Sequence, residues 1–240
     1  MPIYLSASSI SDLMTCPKRF YYRLNKAPDT PNEHMIFGSI VHEAIEKCYN
    51  YEDAIVFSEE EWSKRTSTAF TPNLVSKPPK SFKKILSGYY WNIYPRMQEL
   101  GLIGNEDELE YFFKIPMGDI VLVGKIDRLN RQDNIIFDWK TSGYPPSQES
   151  LQAFQFYFYH MCYEMIFKTY PKIYYGYLNG GSILPIDINP KLVYNVQRTI
   201  DYAVRIIQEE KFPWNVGYQC GLCSYKSHCF SELRNNEFIN

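Results

Sequence analysis

The sequence has no long hydrophobic run. No stretch approaches the ~20 apolar residues that span a bilayer, so no membrane segment is expected. It also lacks an excess of either charge: 25 Lys and Arg against 27 Asp and Glu leave a net charge of −2. A protein that coats nucleic acid indiscriminately is usually basic. Any phosphate-binding surface here must therefore be local, with acidic residues gathered elsewhere, for instance around a metal. The opening MPIYLSASSISDLMTCPKRF has no basic segment leading into an apolar one, which argues against a secretion signal. Internal repeats and low-complexity tracts are missing as well. The expected setting is a reducing cytoplasm, the host's if the chain is virus-encoded. There the six cysteines read as thiols or metal ligands rather than disulfides.

What is present is apolar and aromatic. Of 240 residues 45% are hydrophobic, with 21 Tyr and 15 Phe, a globular composition large enough for one core or a core plus a small lobe. Residues 6–26 read as a helix capped by Ser8, Ser9 or Ser11 and broken at Pro17, followed by a turn-rich loop over 28–34. Residues 38–50 read as a helix burying Ile40, Val41, Ala44, Ile45 and Cys48. Two more helices are expected over 59–71 and 81–100, joined by a linker bearing Pro and Lys. The period then changes to two. Residues 109–116, 120–129 and 134–140 read as strands, the last two joined by an RQDN turn. An aromatic helix over 149–169, strands over 172–179 and 182–188 and a helix over 190–211 follow. The last thirty or so residues read as irregular. This order predicts a mixed α/β fold.

The stretch GKIDRLNRQDNIIFDWKTS carries the chemistry. Alternation along a strand puts Ile136, Asp138 and Lys140 on one face and Phe137 and Trp139 on the other. An acid and a lysine ending an apolar strand are costly unless used. A short hairpin brings Asp127 towards Asp138, and two carboxylates at neighbouring strand ends suit a hard cation such as Mg²⁺ or Mn²⁺. Such a metal activates water and stabilises charge on a phosphodiester, with Lys140 adding a positive donor. A surface Asp–Lys pair is the plainer reading of these residues alone. His42 and Glu46 share a helix face, and His42 can supply a third ligand. Gln155 and Tyr159 share another, suited to holding a phosphate or a lysine, while Phe154, Phe156 and Phe158 there read as core.

Taken in order, Cys-Pro-x-x-Phe-Tyr (Cys16 to Tyr21), Gly-x-x-x-His (Gly38 to His42), Gly-x-Ile-Asp-Arg (Gly124 to Arg128), Asp-x-Lys-Thr (Asp138 to Thr141) and Gln-x-x-x-Tyr (Gln155 to Tyr159) resemble the RecB-like branch of the PD-(D/E)XK nucleases. The resemblance implies a restriction-endonuclease-like core, a mixed central sheet flanked by helices, forming a single nuclease domain over 1–240. It implies a helical insertion over 51–104 and a cysteine-cluster lobe made of 1–24 with 212–240. It implies metal binding by His42, Asp127, Asp138 and the Trp139 backbone carbonyl, catalysis by Lys140 together with Asp127 and Asp138, and support of the site and substrate by Gln155 and Tyr159. Glu110 matches a less constant acidic position. The chain does not carry the long helicase portion of the RecB protein, so a helicase or another recombination or CRISPR protein is a possible partner.

Near the C-terminus stands Cys220-x-x-Cys223-x-x-x-x-x-Cys229, a spacing that suits zinc or iron–sulfur. The resemblance supplies Cys16 as the fourth ligand and implies a 4Fe–4S clasp joining the termini, as in exonuclease V and CRISPR-adaptation nucleases. Zn²⁺ is the alternative, with His228 as a further candidate ligand. Cys48 and Cys162 read as core thiols. Arg19 and Arg23, and Lys77, Lys80, Lys83 and Lys84, are candidate phosphate contacts, and Tyr89, Tyr90 and Trp91 are candidate stacking partners. Each has an ordinary solvated or core reading. The function expected is a metal-dependent deoxyribonuclease, an exonuclease on single-stranded DNA or DNA ends, in recombination, repair, phage DNA metabolism or CRISPR adaptation. The alternatives are a non-catalytic DNA-binding subunit and a zinc-bound adaptor; the latter leaves the Asp–Lys hairpin unexplained.

Overall fold

The computed structural model describes residues 2–29, 32–67, 77–78 and 80–237. The expected end of the 59–71 helix, and most of the linker after it, lie outside the described residues.

Alternating apolar residues build a long antiparallel hairpin from β2 (Glu108–Met117) and β3 (Ile120–Asn130). The expected turn then leads into β4 (Ile135–Lys140). β1 (Ile3–Leu5), β5 (Lys172–Tyr177) and β6 (Ser182–Ile186) complete a six-stranded mixed sheet in the order β1-β3-β4-β5-β6, with β2 on the other edge of β3. On the edge away from β2, β3 changes partners. Ile120–Leu122 pair with β1 in parallel, and Arg128–Asn130 pair with β4 antiparallel. Between them, Val123–Asp127 have no strand on that side among the described residues, so the sheet forks where Asp127 sits.

Helices pack on both faces. α1 (Ala7–Thr15) and α2 (Pro17–Leu24) are separated at Pro17, as expected, because proline has no N–H to continue a helix. The cap of α1 is Ser6 rather than the serines after it: Ser6 Oγ accepts from the Ser9 N–H, and Ser9 Oγ from the Ser6 N–H, closing a capping box. α3 (Glu33–Lys47) and α4 (Tyr51–Thr66) start earlier than their apolar stripes suggest, because Asn32 and Asn50 cap them. α5 (Phe82–Ser87) and α6 (Tyr94–Glu99) are joined by a π-helical turn at Gly88–Ile93. A Cβ on Gly88 would stand 1.9 Å from the Leu178 carbonyl oxygen, so only glycine lets this turn approach the sheet.

The expected aromatic helix is split into α7 (Gln148–Leu151) and α8 (Phe154–Phe167), and α9 (Pro190–Gln208) closes the core. The C-terminal stretch is more regular than expected, with a 3₁₀ turn at Tyr218–Leu222 and α10 (Lys226–Glu237). One core lies among α1, α2, α8, α9 and one sheet face, around Leu13, Phe20, Leu122, Phe156 and Phe158. The second lies on the opposite face among α3–α6, around Phe37, Ile40, Phe82, Phe137 and Trp139. Among the described residues no helix is long and apolar enough to cross a membrane.

Candidate active site

The fork in the sheet brings the expected carboxylates together. Asp127 is buried in β3, and its Oδ2 accepts from the Trp139 main-chain N–H at 2.6 Å. Its Oδ1 lies 3.1 Å from His42 Nδ1, presented by α3. Trp139 is held by its own strand: its ring stacks on Phe137 and packs against Gly176 of β5. A Cβ on Gly176 would come 2.3 Å from that ring. Gly176→Ala should therefore displace the indole that positions the Asp127 donor, costing about 1–3 kcal/mol of stability. An unchanged melting temperature would contradict this packing.

Asp138, 2% exposed, makes a second set of contacts. Its Oδ2 meets Lys140 Nζ at 2.5 Å and its Oδ1 accepts from Gln155 Nε2 at 2.8 Å. Gln155 Oε1 in turn accepts from Lys140 Nζ at 3.1 Å, and Gln155 Nε2 also donates to the Tyr159 hydroxyl at 2.8 Å. The Tyr159 hydroxyl in turn donates to the Lys125 main-chain carbonyl of β3 at 2.6 Å. One amide thus holds the acid, the lysine and the phenol in register, and its spacing of four residues from Tyr159 on α8 is what makes this possible.

The electrostatics follow from burial. Burial, and then the charge on Asp127, raise the Asp138 pKa, against the pull of Lys140. Burial works against Asp127 too, but His42 and Lys140 outweigh it and hold its pKa below the usual range. Burial opposes the charge on His42 and Lys140 as well. The nearby carboxylates prevail, so both pKa values rise, and Lys140 is a cation at neutral pH. Burial, followed by the surrounding carboxylates, pushes the Tyr159 phenol well up, so it acts as a neutral hydrogen-bonding group.

Glu110 is the member that sequence reasoning underweighted. It lies on β2 beside Asp127 with φ +54°, a left-handed conformation that a glutamate seldom adopts. Nothing in the residue type signals that conformation. His42, Glu110 and Asp127 each offer a ligand atom within 4.8 Å of the others, the one such group among the described residues. Asp138 stays outside this group, occupied by Lys140 and Gln155. Glu110 Oε2 and Asp138 Oδ2 are buried, without a well-directed hydrogen bond, and are answered only by the ammonium groups of Lys125 and Lys140. Hard oxygen atoms and a half-buried imidazole, crowded with such partial compensation, fit a divalent cation.

The other expected residues are placed differently. Cys16, Cys220, Cys223 and Cys229 line one cavity where the two ends of the chain meet. Around it Lys18 and Tyr22 of α2 grip Glu232 of α10 at 2.5 and 2.6 Å. Burial, and the neighbouring Cys16 and Cys223, push the Cys229 thiol up. His228 stacks edge-on against Tyr22 and does not line this cavity. Cys162 is buried as expected, whereas Cys48 is only half-buried and caps α3.

Arg19 and Arg23 are not free for phosphate, since both pair with Asp12, at 3.0 and 2.5 Å. The Lys80 ammonium donates to the Thr141 carbonyl just beyond Lys140. Lys77, Lys80 and Lys83 border one open depression, and Lys84 follows on α5. Tyr89 is core, while Trp91 is 61% exposed.

A family model described as the PD-(D/E)XK nuclease superfamily matches residues 4–230. Comparison with curated proteins gives no match. Among solved structures, a candidate exonuclease from Eubacterium rectale superposes with a TM-score of 0.58 at 14% identity, over 94% of this chain and 87% of that one. At that identity the likeness concerns the fold. The structure of SSO0001, at 15% identity over 95% and 86% of the two chains, gives a TM-score of 0.37, too low to carry an argument.

Proposed function

The chain belongs to the PD-(D/E)XK nuclease superfamily, whose members work with divalent metals, and from this premise we propose that it is a RecB-like, Mg²⁺- or Mn²⁺-dependent deoxyribonuclease acting as an exonuclease on single-stranded DNA or DNA ends. The observation that carries the proposal is the buried assembly at the sheet fork, in which His42, Glu110 and Asp127 converge beside the Asp138–Lys140–Gln155 triad. His42, Asp127 and Glu110, with Asp138 and the Trp139 carbonyl, would hold the metal. When bound it supplies Lewis-acid charge at the phosphodiester.

The side chains provide the rest. Lys140, kept cationic by Asp138 and Asp127, offers a fixed positive donor where negative charge builds up on the phosphoryl oxygens. Gln155 and Tyr159 hold Lys140 and Asp138 so that neither must reorganise. The Eubacterium rectale protein's designation as a candidate exonuclease agrees with an exonuclease reading.

The cysteine cavity would hold a 4Fe–4S cluster. The support for this reading is that Cys16, Cys220, Cys223 and Cys229 line a single cavity, each thiolate being able to bind its own iron; Zn²⁺ is the alternative. A structural clasp of this kind leaves the active site free, and recombination, repair, phage DNA metabolism or CRISPR adaptation, alone or beside a helicase, are settings that need such an enzyme.

The test is to incubate anaerobically purified protein with end-labelled single-stranded and duplex DNA, with Mg²⁺, Mn²⁺ or EDTA. A ladder dependent on metal, built from one end of the unpaired strand, is expected. A protein that binds DNA but cuts it under no metal would be a binding subunit instead.

A further inference from the structure

Among the described residues, the half of the sheet that leads into the fork has one face that neither core covers. Along β2 and β3 the register pairs Phe112 with Lys125, Lys114 with Val123 and Pro116 with Val121, and β1 adds Tyr4 beside Val121. These residues share one face, and they belong to neither hydrophobic core. Tyr4 is 52% and Phe112 54% exposed. Lys114 Nζ lies between the two rings, 5.8 Å from the Tyr4 centroid and 5.5 Å from that of Phe112. Large aromatic rings on an open sheet face, interleaved with lysines, need a reason to be there.

This face is continuous with the active site. Phe112 and Lys125 line a groove of about 390 Å³ whose other walls include Ser8 and Ser11 of α1 and the site residues Gln155 and Tyr159. The volume falls in the range of roughly 300–1,000 Å³ typical of small-ligand sites. The Lys125 ammonium pairs with Glu110, yet its side chain remains 56% exposed, leaving donors for a phosphate.

We propose that the open β1–β3–β2 face is a track for an unpaired DNA strand, with bases on Phe112 and Tyr4, phosphates on Lys114 and Lys125, and the strand leading through the groove into the catalytic fork. The track rests on the nuclease reading above. Its occupant is single-stranded because ring faces recognise the π-faces of bases, and a duplex keeps those faces stacked internally. The lysines supply the charge that complements the backbone, locally, in a chain with no net positive charge.

Fluorescence anisotropy with a labelled oligothymidylate of about 12 nucleotides, in EDTA so that nothing is cut, tests this. Phe112→Ala and Phe112→Leu should each weaken binding about fivefold or more, since stacking of one base is worth that much. Phe112→Trp should restore it, and binding of a blunt duplex should not change in any variant. Thermal melts confirm that the variants fold. If Phe112→Ala and Phe112→Leu bind the oligomer as the wild type does, the track is overturned. Cleavage of the same oligomer with Mn²⁺ separates the two readings. A wild type that cuts, beside variants that bind unchanged, removes the track and keeps the nuclease. A wild type that never cuts, beside variants that lose binding, removes the nuclease and keeps the track. A wild type that neither cuts nor binds removes both.

Discussion

Lys140→Met should lower metal-dependent cleavage about 100-fold or more, the usual cost of removing one preorganised donor from a site of developing charge. The methionine keeps most of the side chain's length and loses only the ammonium. That ammonium sits 2.5 Å from Asp138 Oδ2 and 3.1 Å from Gln155 Oε1. Its loss leaves a buried carboxylate without its cation. Asp138 already has a raised pKa, first from burial, and can answer by taking up a proton, so the fold should survive with a modest loss of stability. Asp138→Asn should be similarly inactive, because it removes the charge on which Lys140 depends while keeping the acceptor for Gln155. Gln155→Ala should cost less than either, since it loosens both groups and deletes neither. Rates on an end-labelled single strand, with circular dichroism and thermal melts as folding controls, would check the order. A Lys140→Met enzyme retaining more than about a tenth of the activity would remove Lys140 from the chemistry.

That order was open to inference because the residues obey simple periodicities. Alternation in β4 places Asp138 and Lys140 on one face, and the i, i+4 spacing on α8 aligns Gln155 with Tyr159. The hairpin strands were legible for the same reason. Less legible was whatever depends on contacts distant in sequence. β1 is three residues long and is a strand only because Ile120–Leu122 receive it. The early starts of α3 and α4 come from asparagine caps, with few apolar residues behind them to mark the period. The π-turn at Gly88 answers to a carbonyl of Leu178, and the positive φ of Glu110 has no mark in its residue type. Arg19 looked like a phosphate ligand because Asp12, seven positions earlier, gives no sequence sign that it is buried beneath it. The open face bearing Phe112 was invisible for a related reason: alternation says that two faces exist, and only the packing says which one is left bare.

On the proposed 4Fe–4S reading, Cys16→Ala should release the iron and lower the melting temperature by about 10 °C. The estimate takes roughly 3–5 kcal/mol for losing a staple across a long loop and about 2–4 °C per kcal/mol for a chain of this size. Cys16 lies at the junction of α1 and α2, and its three partners follow more than two hundred residues later, around the 3₁₀ turn and α10. Without the clasp, the ends are held mainly by the Lys18–Glu232 and Tyr22–Glu232 contacts, the Asn215 bond to the Thr15 carbonyl, and rings packed about Tyr22. The ion pair in that set is partly exposed and worth little by itself. Cys220→Ala should behave like Cys16→Ala, because a cluster short of either thiolate is equally incomplete. Iron content, visible absorption and the melting curve would be read on the same samples. Cys16→Ala protein with full iron and an unshifted melt would sink the clasp. Cys48→Ala supplies the control: that thiol is half-buried at the end of α3 and is not part of the cavity. It should leave iron and melting temperature unchanged, whereas equal losses at Cys48 and Cys16 would mean that burial of a thiol, and not ligation, is what the stability measures.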